Sequence, residues 1–207
     1  MTGEPTPTAL PGADPAPAPQ PIGRRRWVEL AGFLTLLAAA LAGAFVWGRP
    51  GPSSDAGPPF DVVRPAPSPA PPFALRDLEG RPARLEDYRG RVVLLNFWAT
   101  WCAPCREEMP AIQALARELD RQGLVVLAVN YQEGEAAVRE FVRETAVSVP
   151  VLLDPDGAVT RRYRVTVLPT TVLIDRRGAL VGTVLGFRDW AGPGARAYVR
   201  GLVEAAT

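Results

Sequence analysis

From Phe73 onward the apolar positions of this chain follow two rhythms. Unbroken apolar runs at VVLLNFW (92–98), LVVLAVN (124–130), VLL (151–153) and TTVLI (170–174) have the length and continuity of strands buried on both faces of a sheet. Between the first two runs, Met109, Ile112, Leu115, Ala116 and Leu119 recur at helical spacing, which predicts an amphipathic helix over 104–121 ended by Gly123. A second helix is predicted over 135–145, with Val138, Phe141 and Val142 on one face. Shorter helical stretches are expected at 159–163 and 194–205. The segment FAL, the turn Glu79-Gly80-Arg81-Pro82 and a run to Leu85 predict a hairpin ahead of the first buried strand. The turn Asp175-Arg176-Arg177-Gly178 predicts another, with its second strand running through Val184. Strands alternating with helices predict an α/β sheet covered on both faces and closed by an antiparallel hairpin, with no internal repeat.

The pattern upstream of Phe73 is different. Residues 1–23 hold seven prolines among small residues, too little apolar surface to offset chain entropy, so a disordered tail is expected over 1–26. Arg24-Arg25-Arg26 is followed by a segment that is apolar from Val28 to Trp47 apart from Glu29 and Thr35. At helical rise it is roughly 30 Å long, the thickness of a bilayer's hydrocarbon core. A membrane anchor is therefore expected at 27–48, with Trp27 and Trp47 at the interfaces and the arginines holding the N-terminus in the cytoplasm. A cleaved signal peptide is the alternative, because Ala42-Gly43-Ala44 suits a peptidase. Residues 49–72 return to proline, serine and glycine and read as a tether, leaving 73–207 as the folded domain on the far side of the membrane.

Composition supports this division. The 23 prolines and 19 glycines among 207 residues are too many for one compact fold, although 47% of residues are hydrophobic. The net charge of +1, with basic and acidic residues interspersed, offers no stripe for nucleic acid. Histidine is absent, which removes the commonest general base and metal ligand.

The two cysteines of the chain stand in WCAPC (101–105), where the first buried strand gives way to a helix. Cys102 then lies at a helix N-terminus, where unpaired N–H groups favour a thiolate, and is the expected nucleophile. Pro104 suits the first helical turn, and Cys105, one turn further in, is the expected resolving thiol. Two cysteines without histidine do not make a usual zinc set, and bridging residues this close removes little unfolded-chain entropy. The spacing therefore reads as a redox pair, with no metal and no cofactor. Pro169 stands at the mouth of TTVLI. It is either a plain strand-start proline or one held in a special geometry such as a cis bond.

With these motifs in hand, the domain resembles thioredoxin, and more closely the membrane-anchored bacterial relatives of the TlpA/ResA type. The likeness runs from about Phe73 to the C-terminus through VVLLNFWATWCAPC, DPDG, VLPTTVLID and IDRRG. The resemblance implies a thioredoxin fold with an N-terminal hairpin extension. It implies attack by Cys102 and resolution by Cys105, a cis Pro169 facing them and offering backbone to an extended substrate, and Trp101 beside the cysteines. Thioredoxin carries a buried aspartate where this chain has Asn96, which cannot accept a proton. In the TlpA/ResA branch a glutamate three residues after the second cysteine serves near the site, and Glu108 matches it. The alternative account of Glu108, and the sufficient one for Glu107, is that acids early in a helix stabilise its dipole.

The function that follows is an extracytoplasmic, membrane-tethered thiol–disulfide oxidoreductase. It would reduce disulfides of exported proteins, as in cytochrome c maturation or copper-centre assembly, and be re-reduced by a membrane electron donor. The alternatives are a dithiol oxidase on the same fold, a thioredoxin-scaffold copper carrier, for which a distal histidine is missing, and a peroxiredoxin-like peroxidase, for which WCAPC is the wrong motif.

Overall fold

The computed structural model describes residues 61–63, 66 and 68–205, all within the second of the two units into which the chain divides, Asp55–Thr207. The tail expected at 1–26, the span expected at 27–48 and most of the tether expected at 49–72 lie outside the described residues.

Among the described residues, nine strands form one mixed sheet: β1 (Val62–Val63), β2 (Ser68–Pro69), β3 (Ala74–Asp77), β4 (Pro82–Arg84), β5 (Val92–Trp98), β6 (Leu124–Tyr131), β7 (Val151–Asp154), β8 (Thr170–Ile174) and β9 (Ala179–Leu185). The helices are α1 (Ala103–Leu119), α2 (Glu135–Thr145), α3 (Ala158–Arg162) and α4 (Pro193–Glu204), with 3-10 turns at Leu85–Tyr88 and Asp120–Gln122. The strand order is β1-β9-β8-β5-β6-β7-β3-β4, with β2 also on β9. Strands β5, β6 and β7 are parallel, and β8 runs antiparallel between β5 and β9.

The unbroken apolar runs are central strands because both of their faces are covered. All seven residues of β5 are buried. Val92, Leu94 and Trp98 pack with Met109, Ile112, Leu115 and Leu119 of α1, and with apolar residues of α2 and α4. Val93, Leu95 and Phe97 pack on the other side with Leu127, Val129, Val172, Val159 and Tyr163. Each such side chain contributes roughly 1.5–3 kcal/mol by leaving water.

Two expectations change. Helix α1 ends at Leu119 rather than at Arg121; the 3-10 turn intervenes, and Gly123 closes it at φ 107°, a conformation suited to glycine. Within the stretch assigned to a tether, Val62–Val63 and Ser68–Pro69 are part of the sheet. Val62 pairs with Val184, Ser68 with Leu180, and the Tyr163 hydroxyl donates to the Pro71 carbonyl at 2.7 Å. Proline is compatible with this because β1 and β2 are edge pieces, where a missing donor costs nothing on the open side. Glycine at 182 permits the approach, since a Cβ there would lie 2.7 Å from Val62 Cγ1.

Candidate active site

Strand β5 delivers the chain to the site through a turn, Ala99–Cys102, closed by the Cys102 N–H on the Ala99 carbonyl at 3.2 Å. Helix α1 starts at the next residue, with Cys102 as its N-cap and Pro104 in its first turn. The Cys105 backbone N–H donates to Cys102 Sγ at 3.3 Å, so a helix N-terminal donor points at the sulfur expected to attack. Cys102 and Cys105 are joined as a disulfide. Cys105 is fully buried and Cys102 keeps 5% exposure, so an incoming group can meet only the first sulfur.

Cys102 borders a groove of about 450 Å³ whose walls include Trp101, Pro104, Tyr131, Thr160 and Val165–Leu168. Trp101 is 66% exposed and Val167 is also exposed, which leaves apolar surface at the rim. The Leu168–Pro169 peptide is cis, the geometry that the resemblance implied. Pro169 has no N–H, and its carbonyl accepts from the Gly186 N–H at 2.8 Å.

Glu108 is 1% exposed, whereas Glu107 beside it is exposed, so the helix-dipole account does not describe Glu108. Its Oε1 accepts from Asn96 Nδ2 at 2.8 Å and its Oε2 from the Arg188 backbone N–H at 3.2 Å. Burial pushes its carboxyl up to about 7, against the lowering effect of the bonds from Asn96, Arg188 and Trp190. Asn96 Nδ2 also donates to Thr171 Oγ1 at 3.0 Å. Asn96 is therefore the post that holds Glu108, tied across the sheet to β8. The position that cannot take a proton supports the one that can.

The sequence reading did not foresee Glu133, Asn130, Thr171, Arg188 or Trp190. Glu133 accepts from Thr100 N–H at 2.7 Å, from Thr100 Oγ1 at 2.5 Å and from Asn130 Nδ2 at 2.7 Å. One signal was present: Asn130 and Glu133 sit at the C-terminal end of a buried parallel strand, the end where open α/β sheets place their sites. Thr171, Arg188 and Trp190 reach Asn96 and Glu108 only through tertiary structure, and no local pattern marks them.

Known proteins are similar to this chain over the same domain. Residues 67–182 match the model of the AhpC/TSA family. The thiol–disulfide oxidoreductase ResA of Geobacillus thermodenitrificans is 44% identical over 119 residues, 58% of this chain and 68% of the relative. The protein of that name from Bacillus subtilis is 42% identical over 119 residues, 58% of this chain and 66% of the relative. Among solved structures, a Chlorobium tepidum protein assigned as a thiol:disulfide interchange protein DsbE aligns with a TM-score of 0.61 at 32% identity, covering 70% of this chain and 99% of its own. The exposed lipoprotein thioredoxin of Streptococcus pneumoniae aligns at 0.57 and 33% identity, over 65% and 99%.

Proposed function

The chain belongs to the AhpC/TSA family, and from that premise we propose that its domain is a thiol–disulfide oxidoreductase acting as a protein-disulfide reductase. The observation that carries this reading is the Cys102–Cys105 bond at the start of α1, with one sulfur reachable from the groove and the other buried. In the reducing direction the Cys102 thiolate attacks a sulfur of the substrate disulfide, forming a mixed disulfide and releasing one substrate thiolate. Cys105 loses its proton and attacks Cys102 Sγ, which releases the second thiolate and closes the Cys102–Cys105 ring. Two electrons have then passed to the substrate.

Glu108 lies one helical turn beyond Cys105, and its carboxyl is held near 7, so it suits the task of taking the Cys105 proton and returning it on re-reduction. A carboxylate in that place also opposes a thiolate at the helix mouth, which favours a reductant over a strongly oxidising couple. Trp101 and Val165–Leu168 line the groove in which an extended substrate segment would lie.

The apolar segment 27–48 behind three arginines supports a membrane anchor with the domain on the outer face. Among the described residues no helix is long and apolar enough to cross a membrane. The substrates are then exported proteins, such as apoproteins awaiting haem attachment or a copper centre, and the electrons for re-reduction come from a membrane partner. Equilibrating the full-length protein with a glutathione or dithiothreitol series tests the direction. A strongly negative potential supports the reductant; a value near that of the periplasmic oxidases reverses it.

A further inference from the structure

Cys102 is held by the ring it forms with Cys105, by its place as the N-cap of α1, and by the Ala99–Cys102 turn that leads into it. When the ring is reduced, the turn remains together with the helix-start bond from the Arg106 N–H to the Cys102 carbonyl at 3.2 Å. Thr100 is the second residue of that turn, and both its N–H and its hydroxyl are taken by the two oxygens of Glu133. Glu133 is in turn held by Asn130, whose side chain is 1% exposed and stands opposite Trp98 in the β5–β6 register.

The backbone presenting Glu133 is unusual. Gln132, immediately before it, has φ 53°, a left-handed conformation that non-glycine residues adopt at a cost, and its N–H is fixed to the Asp154 carbonyl at 3.1 Å. Two features of separate origin, a three-donor carboxylate and a strained turn, thus converge on the residue before Trp101.

We propose that Glu133 is a positioning residue of the dithiol: its grip on Thr100 keeps the turn in the arrangement from which Cys105 closes on Cys102. The inference rests on the redox reading above and adds a determinant of its resolving step. Preorganising two reacting groups raises their effective concentration, here that of the Cys105 thiolate at the Cys102 sulfur. A dithiol that closes more readily is a stronger reductant and leaves the mixed disulfide sooner. The Glu133 carboxylate bonds Thr100 and Asn130 and not the sulfurs, so its effect passes through Thr100.

The test compares full-length wild type, Glu133→Ala, Glu133→Gln and Thr100→Val. The readouts are the glutathione equilibrium, the lifetime of the glutathione mixed disulfide and the pH profile of Cys102 alkylation. Glu133→Ala is expected to close its ring about tenfold less favourably, a rise of about 30 mV for a two-electron couple. Thr100→Val, which keeps the N–H bond, should shift in the same direction by less, with Glu133→Gln between the two. Equilibria within twofold of wild type in all three variants overturn the proposal. So does a Glu133→Gln shift equal to that of Glu133→Ala with Thr100→Val unmoved, since charge rather than grip would then be acting. Should Glu133→Ala fail to fold by circular dichroism, the other two decide by the same criteria. A wild-type protein that exchanges with no glutathione defeats the redox reading itself, an outcome distinct from wild-type exchange with unaltered variants.

Discussion

The two faces of β5 carry different kinds of interior. Toward α3, Val93, Leu95 and Phe97 meet Leu127, Val129, Val172 and Tyr163 in an apolar cluster, with the Phe97 and Tyr163 rings 5.5 Å apart, and the buried Asp154 beside it accepts from the Val159 and Thr160 N–H groups and the Thr160 hydroxyl at the start of α3. Toward α1, the same strand presents Val92 and Leu94, then Asn96, then Trp98, and around that level Glu108, Asn130 and Thr171 are buried as well. These polar groups gather at the sheet end that holds the cysteines, where each has a bond to another element. The difference teaches where this domain carries its chemistry: toward α3 a buried carboxylate is spent on fixing a helix start, whereas toward α1 buried polar groups, costly unless satisfied, stand in the layer under the disulfide.

Four substitutions sharpen or break that contrast. Cys102→Ser should abolish insulin reduction while leaving the fold intact; retained activity would remove the basis of the redox reading. On the apolar face, Phe97→Ala should lower unfolding free energy by about 3–5 kcal/mol in urea, with the thiol pH profile of the remaining folded protein unmoved. A changed profile would mean that the two faces are coupled.

On the polar face, Glu108→Gln should act through pH. The Glu108 carboxyl is raised from 4.5 to about 7 in the folded state, so its contribution to stability is full below about 4.5 and is lost as pH rises through about 7. Wild type should lose up to about 3 kcal/mol across that window from this group, a loss absent in the variant, and the variant's thiol titration should lack the step near 7. Stability curves that run parallel across the window would show that Glu108 titrates alike folded and unfolded. Thr171→Val should have the smallest effect, about 1 kcal/mol, by leaving the Asn96 amide short of one acceptor. A thiol profile unchanged in Thr171→Val would confine Thr171 to packing.

Much of the fold was legible because its strongest elements are local. VVLLNFW, TTVLI and the periodic apolar residues of α1 could form little else, and WCAPC at a strand-to-helix junction announced its chemistry. The lead-in strands were not legible, because Val62–Val63 and Ser68–Pro69 stand in a proline-rich sequence that obeys tether statistics, and they gain their pairing only from the edge of β9. The candidate site divided along the same line. Asn96, Glu108 and Pro169 could be named from motif position. Which groups hold Glu108, and that Glu133 reaches the turn before Cys102 from 33 residues away, are facts of tertiary packing.

The pairing of β1 and β2 with β9 has a practical meaning. These short strands cover a hydrogen-bonding edge next to the site, and a protein trimmed to begin at Phe73 would expose the outer side of β9 from Ala179 to Val184. An uncovered edge of that kind is a template for neighbouring chains, so such a trimmed domain would tend to stack on itself in solution.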